Sequence, residues 1–278
     1  MSGLVVATNM NAISIENILG NTNSAVSSSL EKLSSGLRIN SAADDPAGFA
    51  VANSFKAKIA SMQVASQNAG EAQSMLQTAD GAYTQINNIL VQMKSLATEA
   101  SSGQTSDSNL TGEFQALQSE IDNIATSTQY NGTDLIDGTL SQANGGVTFQ
   151  VGALNVANNQ LNLSFNNATS TALGVSKGLI QVNNSSNAQL AMDALDTALT
   201  SINLYMSSVG ALQNELSYTA NNLTVGIQNF TSSASTIEDV DMASEVSTLT
   251  QNQILQQTAM AMLAQANQQP QSILKLLQ

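Results

Sequence analysis

Between Phe55 and Ala97 the chain sets an apolar or small residue at every third or fourth position, through Ile59, Met62, Leu76, Tyr83, Ile86, Leu90 and Met93. The mean step is about 3.5 residues, the value at which a helix keeps one seam turned to a partner. This predicts one unbroken helix from Pro46 to about Ala100, reaching on the order of 80 Å at ~1.5 Å per residue. A seam that long has to be covered along its whole length. The same pattern returns from Ala191 to Phe230 through Leu195, Ile202, Val209, Leu216 and Leu223, with Thr219 in register. Two long helices of matching length, joined by short elements, predict an antiparallel pair with a shorter helix against its seam.

The connecting stretch changes character twice. Ser101-Ser102-Gly103 ends the first long helix, and Leu110, Phe114, Leu117, Ile121 and Ile124 mark one face of a shorter helix that starts near Asp107. Asn131-Gly132 closes that piece. Val147–Val151 and Leu161–Phe165 alternate as strands around Ala157-Asn158-Asn159, which reads as one β-hairpin at 147–165. The expected class is therefore mainly α: a long antiparallel coiled-coil-like rod with one small β-hairpin.

Both ends are helix-patterned and poor in charge. From Ala12 the residues Ile15, Leu19, Val26, Leu30, Leu33 and Leu37 fall at steps of three and four once Thr22 fills the seam. Gly36 favours a break, and Asp44-Asp45-Pro46 offers a capping carboxylate and a proline at the first position of a new helix. Ser235 to Asp239 puts hydroxyls three residues before carboxylates, a capping-box pattern for another start. The last helix is expected through Val246, Leu249, Ile254, Leu255, Met262 and Leu263, with Pro270 interrupting it before Ile273, Leu274, Leu276 and Leu277.

Between Val246 and Leu274 there is no Asp, Glu, Lys or Arg. No stretch there is apolar enough, for the ~20 residues a bilayer needs, to span a membrane. Such helices build a poor private core and read as surfaces ordered by other copies of the chain. The two ends are expected to pair as an inner domain, 1–42 with 236–278, beside a helical domain over 43–235.

Composition excludes whole classes of chemistry. A net charge of -13 with only seven basic residues argues against nucleic acid, whose phosphates would be repelled. The absence of histidine and cysteine removes imidazole bases, thiolate nucleophiles and most zinc sites. Neither an enzyme nor a cofactor is expected. Residues 1–13 lack a basic region followed by a continuous apolar run, so export, if it occurs, is expected without a secretory signal.

The stretch Leu33 to Ala50, LSSGLRINSAADDPAGFA, closely resembles the amino-terminal motif of bacterial flagellins. Thr236 to Val246, TIEDVDMASEV, with Gln253–Gln257, Leu263–Gln268 and Leu274–Leu277, is similar to the carboxy-terminal one. Tyr130-Asn131-Gly132-Thr133 and Val209–Asn214 agree. The resemblance spans nearly the whole chain and implies a structural subunit of the extracellular flagellar filament. It lacks room for an outer domain between the hairpin and the second long helix. A hook-filament junction protein shares such ends and is the alternative.

By resemblance, the expected partners are further copies, an export chaperone, the filament cap and hook-junction proteins. Gly36, Leu37, Arg38, Ile39 and Asn40 would form a spoke between inner and outer layers, with Arg38 paired to Asp44 or Asp45. Gln92 and Lys94 stand where family members carry arginines read by an animal innate-immune receptor, with Glu113 at a matching position. Lysine cannot reproduce a planar two-pronged guanidinium contact, so that recognition is expected to be weak. The residues 141–187 are expected to be exposed and to offer hydroxyls for glycosylation.

Overall fold

The computed structural model describes residues 9–102 and 107–276. Its helices are α1 (Met10–Ser35), α2 (Pro46–Ser101), α3 (Asp107–Ser127), α4 (Ser185–Glu238) and α5 (Met242–Leu276). Strands β1 (Gln129–Tyr130) and β2 (Thr133–Asp134) pair antiparallel, as do β3 (Val147–Gln150) and β4 (Gln160–Leu163). The chain divides into two compact units. One is drawn from its flanks, up to Ala57 and from Asn229 onward; the other spans Lys58–Gln228.

In the Lys58–Gln228 unit the expected pairing of the long helices is present. Lys94 meets Asp196, the rings of Tyr83 and Tyr205 lie 5.9 Å apart, and Met62 packs beside Gly226. Residues rising along α2 meet residues falling along α4, so the two run antiparallel. Their facing apolar positions, with Phe114 and Ile121 of α3, make one core in which Tyr83, Ile86, Leu90 and Leu195 are fully buried. Each such side chain contributes roughly 1.5–3 kcal/mol relative to exposure.

The hairpin at 147–165 is present, with Val147 opposite Leu163 and Gln150 opposite Gln160. A second, shorter pair joins it. Asn131 and Gly132 both have positive φ, 51° and 76°, as a two-residue turn with the twist of its flanking strands requires. The dipeptide therefore turns a hairpin, beyond the simple stop expected of it.

The segment between β4 and α4 corrects part of the expectation of an exposed 141–187 region, whose residues 142–145, 154–158 and 183–186 are indeed exposed. Phe165, Ala168, Ser170, Val175 and Val182 are buried although no regular structure holds them. Side chains and single backbone bonds do so instead. The Tyr83 hydroxyl donates to the Asn166 carbonyl at 2.8 Å, Asp122 accepts from both the amide and hydroxyl of Ser170, and Gln118 donates to the Val175 carbonyl. Alternation and helical period do not report this kind of burial, which depends on loop side chains reaching the core.

In the flank unit α1 and α5 pair antiparallel. Asn9 donates to the Ala266 carbonyl, Gln256 donates to Asn23, and Leu37 bridges Asp239. Two boundaries differ from expectation. Ser235 and Thr236 do not start a helix: α4 continues to Glu238, and the Thr236 hydroxyl bonds back to the Ser232 carbonyl as in a helix interior. The cap belongs to Asp241, which accepts from the amides of Ala243 and Ser244. Pro270 does not interrupt α5 either. It forfeits one backbone bond, a local loss that good helix formers on both sides let the backbone carry.

Candidate assembly surface

The turn between α1 and α2 is built from residues of the spoke motif. Gly36 ends α1 in the left-handed region, φ 75°, and its amide bonds to the Lys32 carbonyl. Asp44 accepts from the amides of Asn40 and Ser41 at 3.0 and 2.9 Å, and Asp45 caps α2 through the amides of Ala47 and Gly48. The backbone amide of Ser41, then that of Asn40, hold the Asp44 carboxyl below its ordinary pKa. Ile39 is buried over Gly48: a Cβ there would lie 2.8 Å from Ile39 Cδ1 and closer still to the Asp45 carboxylate.

This turn is tied to the one between α4 and α5. The Arg38 amide donates to the Glu238 carbonyl, the Val240 amide to the Gly36 carbonyl at 3.0 Å, and the Arg38 guanidinium to the Ile237 carbonyl at 2.7 Å. The ion pair expected between Arg38 and Asp44 or Asp45 is not formed. Both carboxylates are turned to backbone amides, which a short side chain reaches without ordering a long partner. The charged contact lies elsewhere, between Lys56 and Glu238 at 2.7 Å, where the Glu238 side chain is 5% exposed. The sequence reading missed this pair, because 182 residues separate the two partners.

Beyond the turns, α1 and α5 cover each other along a narrow line. In α5 the seam is Glu245, Leu249, Asn252, Gln256, Ala259, Leu263 and Ala266, strictly alternating steps of four and three. In α1 it is Ala12, Ile15, Leu19, Thr22, Val26, Ser29 and Leu33. Leu30, expected on this line, yields its place to Ser29 and is 50% exposed. Only Thr22, Ser29, Ala259 and Ala266 reach full burial, so among the described residues no large apolar side chain of either helix does.

Most of the described large apolar residues of these helices face outward instead. Val246, Ile254 and Leu255 are 49, 57 and 46% exposed, and among the described residues α1 and α5 together hold ten of the twenty exposed large hydrophobic ones. That is half of them on two helices of 26 and 35 residues. Leu277 lies outside the described residues, as do the side chains of Leu274 and Leu276. Gln92 donates to Glu113 at 3.4 Å and Lys94 is paired with Asp196. No described helix is long and apolar enough to cross a membrane.

Residues 6–141 match the bacterial flagellin N-terminal helical region, and residues 192–277 match the C-terminal one. The chain belongs to the bacterial flagellin family. It is 37% identical to the flagellin of Bacillus subtilis (strain 168), over 97% of this chain and 98% of that protein. It is 36% identical to a flagellin of Halalkalibacterium halodurans, over 99% and 100%. A flagellar filament 33 kDa core protein of Treponema phagedenis is 35% identical over the same shares. The mainly helical fold expected from the flagellin resemblance is the fold observed.

Proposed function

We propose that this chain is the repeating structural subunit of a flagellar filament, and that the outward apolar faces of α1 and α5 are where copies meet. The observation that carries the surface assignment is the mismatch in the flank unit: only small and polar seam residues are buried, the seam's aliphatic side chains stay half-buried, and ten large apolar residues of the described helices stand exposed outside it. Identical chains that repeat a non-closing contact grow into an open helix rather than a ring. Charge-poor helices suit such burial, since no ion is stranded when copies close over them.

In this reading residues 1–42 with 236–278 form the inner domain, and 43–235 the surrounding one. Leu19, Val26, Leu33 and Leu263 stabilise the helix pair, while Leu30, Val246, Ile254, Leu255, Leu274, Leu276 and Leu277 contact neighbours. Gly36 to Asn40, with Asp44 and Asp45, form the spoke. The filament lies outside the cell, and an export chaperone, a cap and hook-junction proteins serve it. Relatives that are filament proteins along their full length favour this role over a hook-filament junction protein. Innate-receptor recognition through Gln92, Lys94 and Glu113 is weak, because Lys94 is engaged by Asp196 and lacks a guanidinium plane.

The test is elongation. Purified chain seeded with fragments of its own filament should extend them without a defined end point, as seen by electron microscopy. Ile254→Asp changes a residue that is exposed in the single chain, so folding should be unaffected and elongation lost. Elongation at the unaltered rate by this variant would refute the surface assignment. Failure of the unaltered chain to extend the seeds would refute the filament role.

A further inference from the structure

Two exposed thioethers stand on opposite sides of the α5 seam. Met260 and Met262 flank the seam residues Ala259 and Leu263 and are 49 and 54% exposed. Met262 also borders an open groove with Asn11, Ser14 and Ile15 of α1. Met10 and Met242, 69 and 49% exposed, belong to the same unit. In the other unit Met75 and Met93 are 3 and 0% exposed. Met62, Met192 and Met206 of that unit are half-buried, so the methionines most open to solvent among the described residues are those on α1 and α5.

We propose that Met10, Met242, Met260 and Met262 form an oxidation site through which peroxides switch self-assembly off. The inference rests on the filament reading above. The thioether sulfur donates an electron pair to one oxygen of hydrogen peroxide, so that an S–O bond forms as the O–O bond breaks. Sulfur is oxidised by two electrons and the peroxide is reduced, leaving as water once the departing hydroxide takes up the proton from the transferred oxygen.

The sulfoxide that results is neutral but strongly polar. Placed where a neighbouring copy must exclude water, its oxygen loses hydration and finds few donors among aliphatic side chains. Assembly covers the same sulfurs and puts them out of the reach of peroxide. The device therefore acts on the unassembled chain and spares the finished polymer. A methionine sulfoxide reductase would restore the thioether and with it the ability to assemble.

The experiment treats the full-length chain with hydrogen peroxide, maps oxygen additions by peptide mass spectrometry and measures elongation from filament fragments. The four terminal methionines should gain oxygen while Met75 and Met93 do not, and elongation should slow at least tenfold. The variant Met10→Leu/Met242→Leu/Met260→Leu/Met262→Leu, close in volume and inert to peroxide, should keep its rate after the same treatment. Unslowed elongation by a chain bearing the sulfoxides, or equal slowing of the leucine variant, would overturn the proposal. As a second measurement, finished filaments given the same peroxide should keep Met260 and Met262 unoxidised; oxidation at the rate of the free chain would also overturn it. If the untreated chain does not elongate at all, it is the filament reading that falls.

Discussion

Lys56 on α2 sets its ammonium nitrogen 2.7 Å from Oε1 of Glu238, the last residue of α4. The lysine side chain is 52% exposed and the glutamate 5%, so solvent compensates one partner and not the other. Removing the ammonium leaves a desolvated carboxylate, whereas removing both charges leaves none. Lys56→Ala is expected to destabilise the chain by roughly 1–3 kcal/mol, and Lys56→Ala/Glu238→Gln to recover part of that loss. Urea unfolding of the two variants checks this, and equal stabilities would show that the glutamate is solvated after all.

Two glycines of the spoke motif are required for different reasons. Gly36 has open space around it but a φ of 75°, so Gly36→Ala should cost about 1–2 kcal/mol from backbone strain alone, with Gly36→Asn milder. Gly48 has an ordinary helical backbone, but its missing Cβ makes room for Ile39 and Asp45. Gly48→Ala should shift those side chains, and Gly48→Asn should be worse rather than milder. Thermal unfolding of the four variants separates strain from crowding by the sign of the Ala-to-Asn change.

The carboxyl of Asp44 titrates below its ordinary value because backbone amides of Ser41 and Asn40 favour the charged form. A depressed native pKa adds stability above the unfolded value of ~3.9, and that stability disappears as pH falls through the native one. Asp44→Asn should therefore lower stability at neutral pH and flatten the acid limb of the stability profile. Carboxyl-detected NMR titration of the folded chain should give Asp44 a midpoint below that of a denatured control.

Tyr83 is pushed the other way, since burial disfavours its phenolate and raises the pKa above the usual tyrosine range. With a raised native value, the stability it contributes is fully present below the unfolded value of ~10 and is lost as pH rises towards the native one. Tyr83→Phe removes the hydrogen bond to Asn166 and should cost about 1 kcal/mol at neutral pH. The variant should also lose less stability than the parent on the alkaline side. Unfolding measured at neutral and at alkaline pH tests both.

Much of this architecture was legible from periodicity, because helices that share a long seam must repeat at about 3.5 residues. The positions from Ala65 to Ala97 and from Ala191 to Leu223 lie in the core where their spacing put them. The terminal helices were harder to phase. In α5, Ile254 and Leu255 are the conspicuous aliphatics, yet Asn252, Gln256 and Ala259 occupy the seam. A reader who ranks residues by hydrophobicity chooses the outward face there. That error is informative, since it arises where the lone chain leaves its best apolar surface uncovered.

The amino-acid order alone determined the length and phase of the long helices, the left-handed stop at Gly36, the cap at Asp45 and the hairpin at 147–165, because each follows from contacts within a few residues. Only the tertiary structure decided that Lys56 answers Glu238, that Arg38 reaches Ile237 rather than a neighbouring carboxylate, and that Phe165, Ala168, Val175 and Val182 of an irregular stretch are buried. Those outcomes depend on which distant segments the antiparallel pairing brings together. No local pattern encodes that proximity, since it is set by packing across the whole chain.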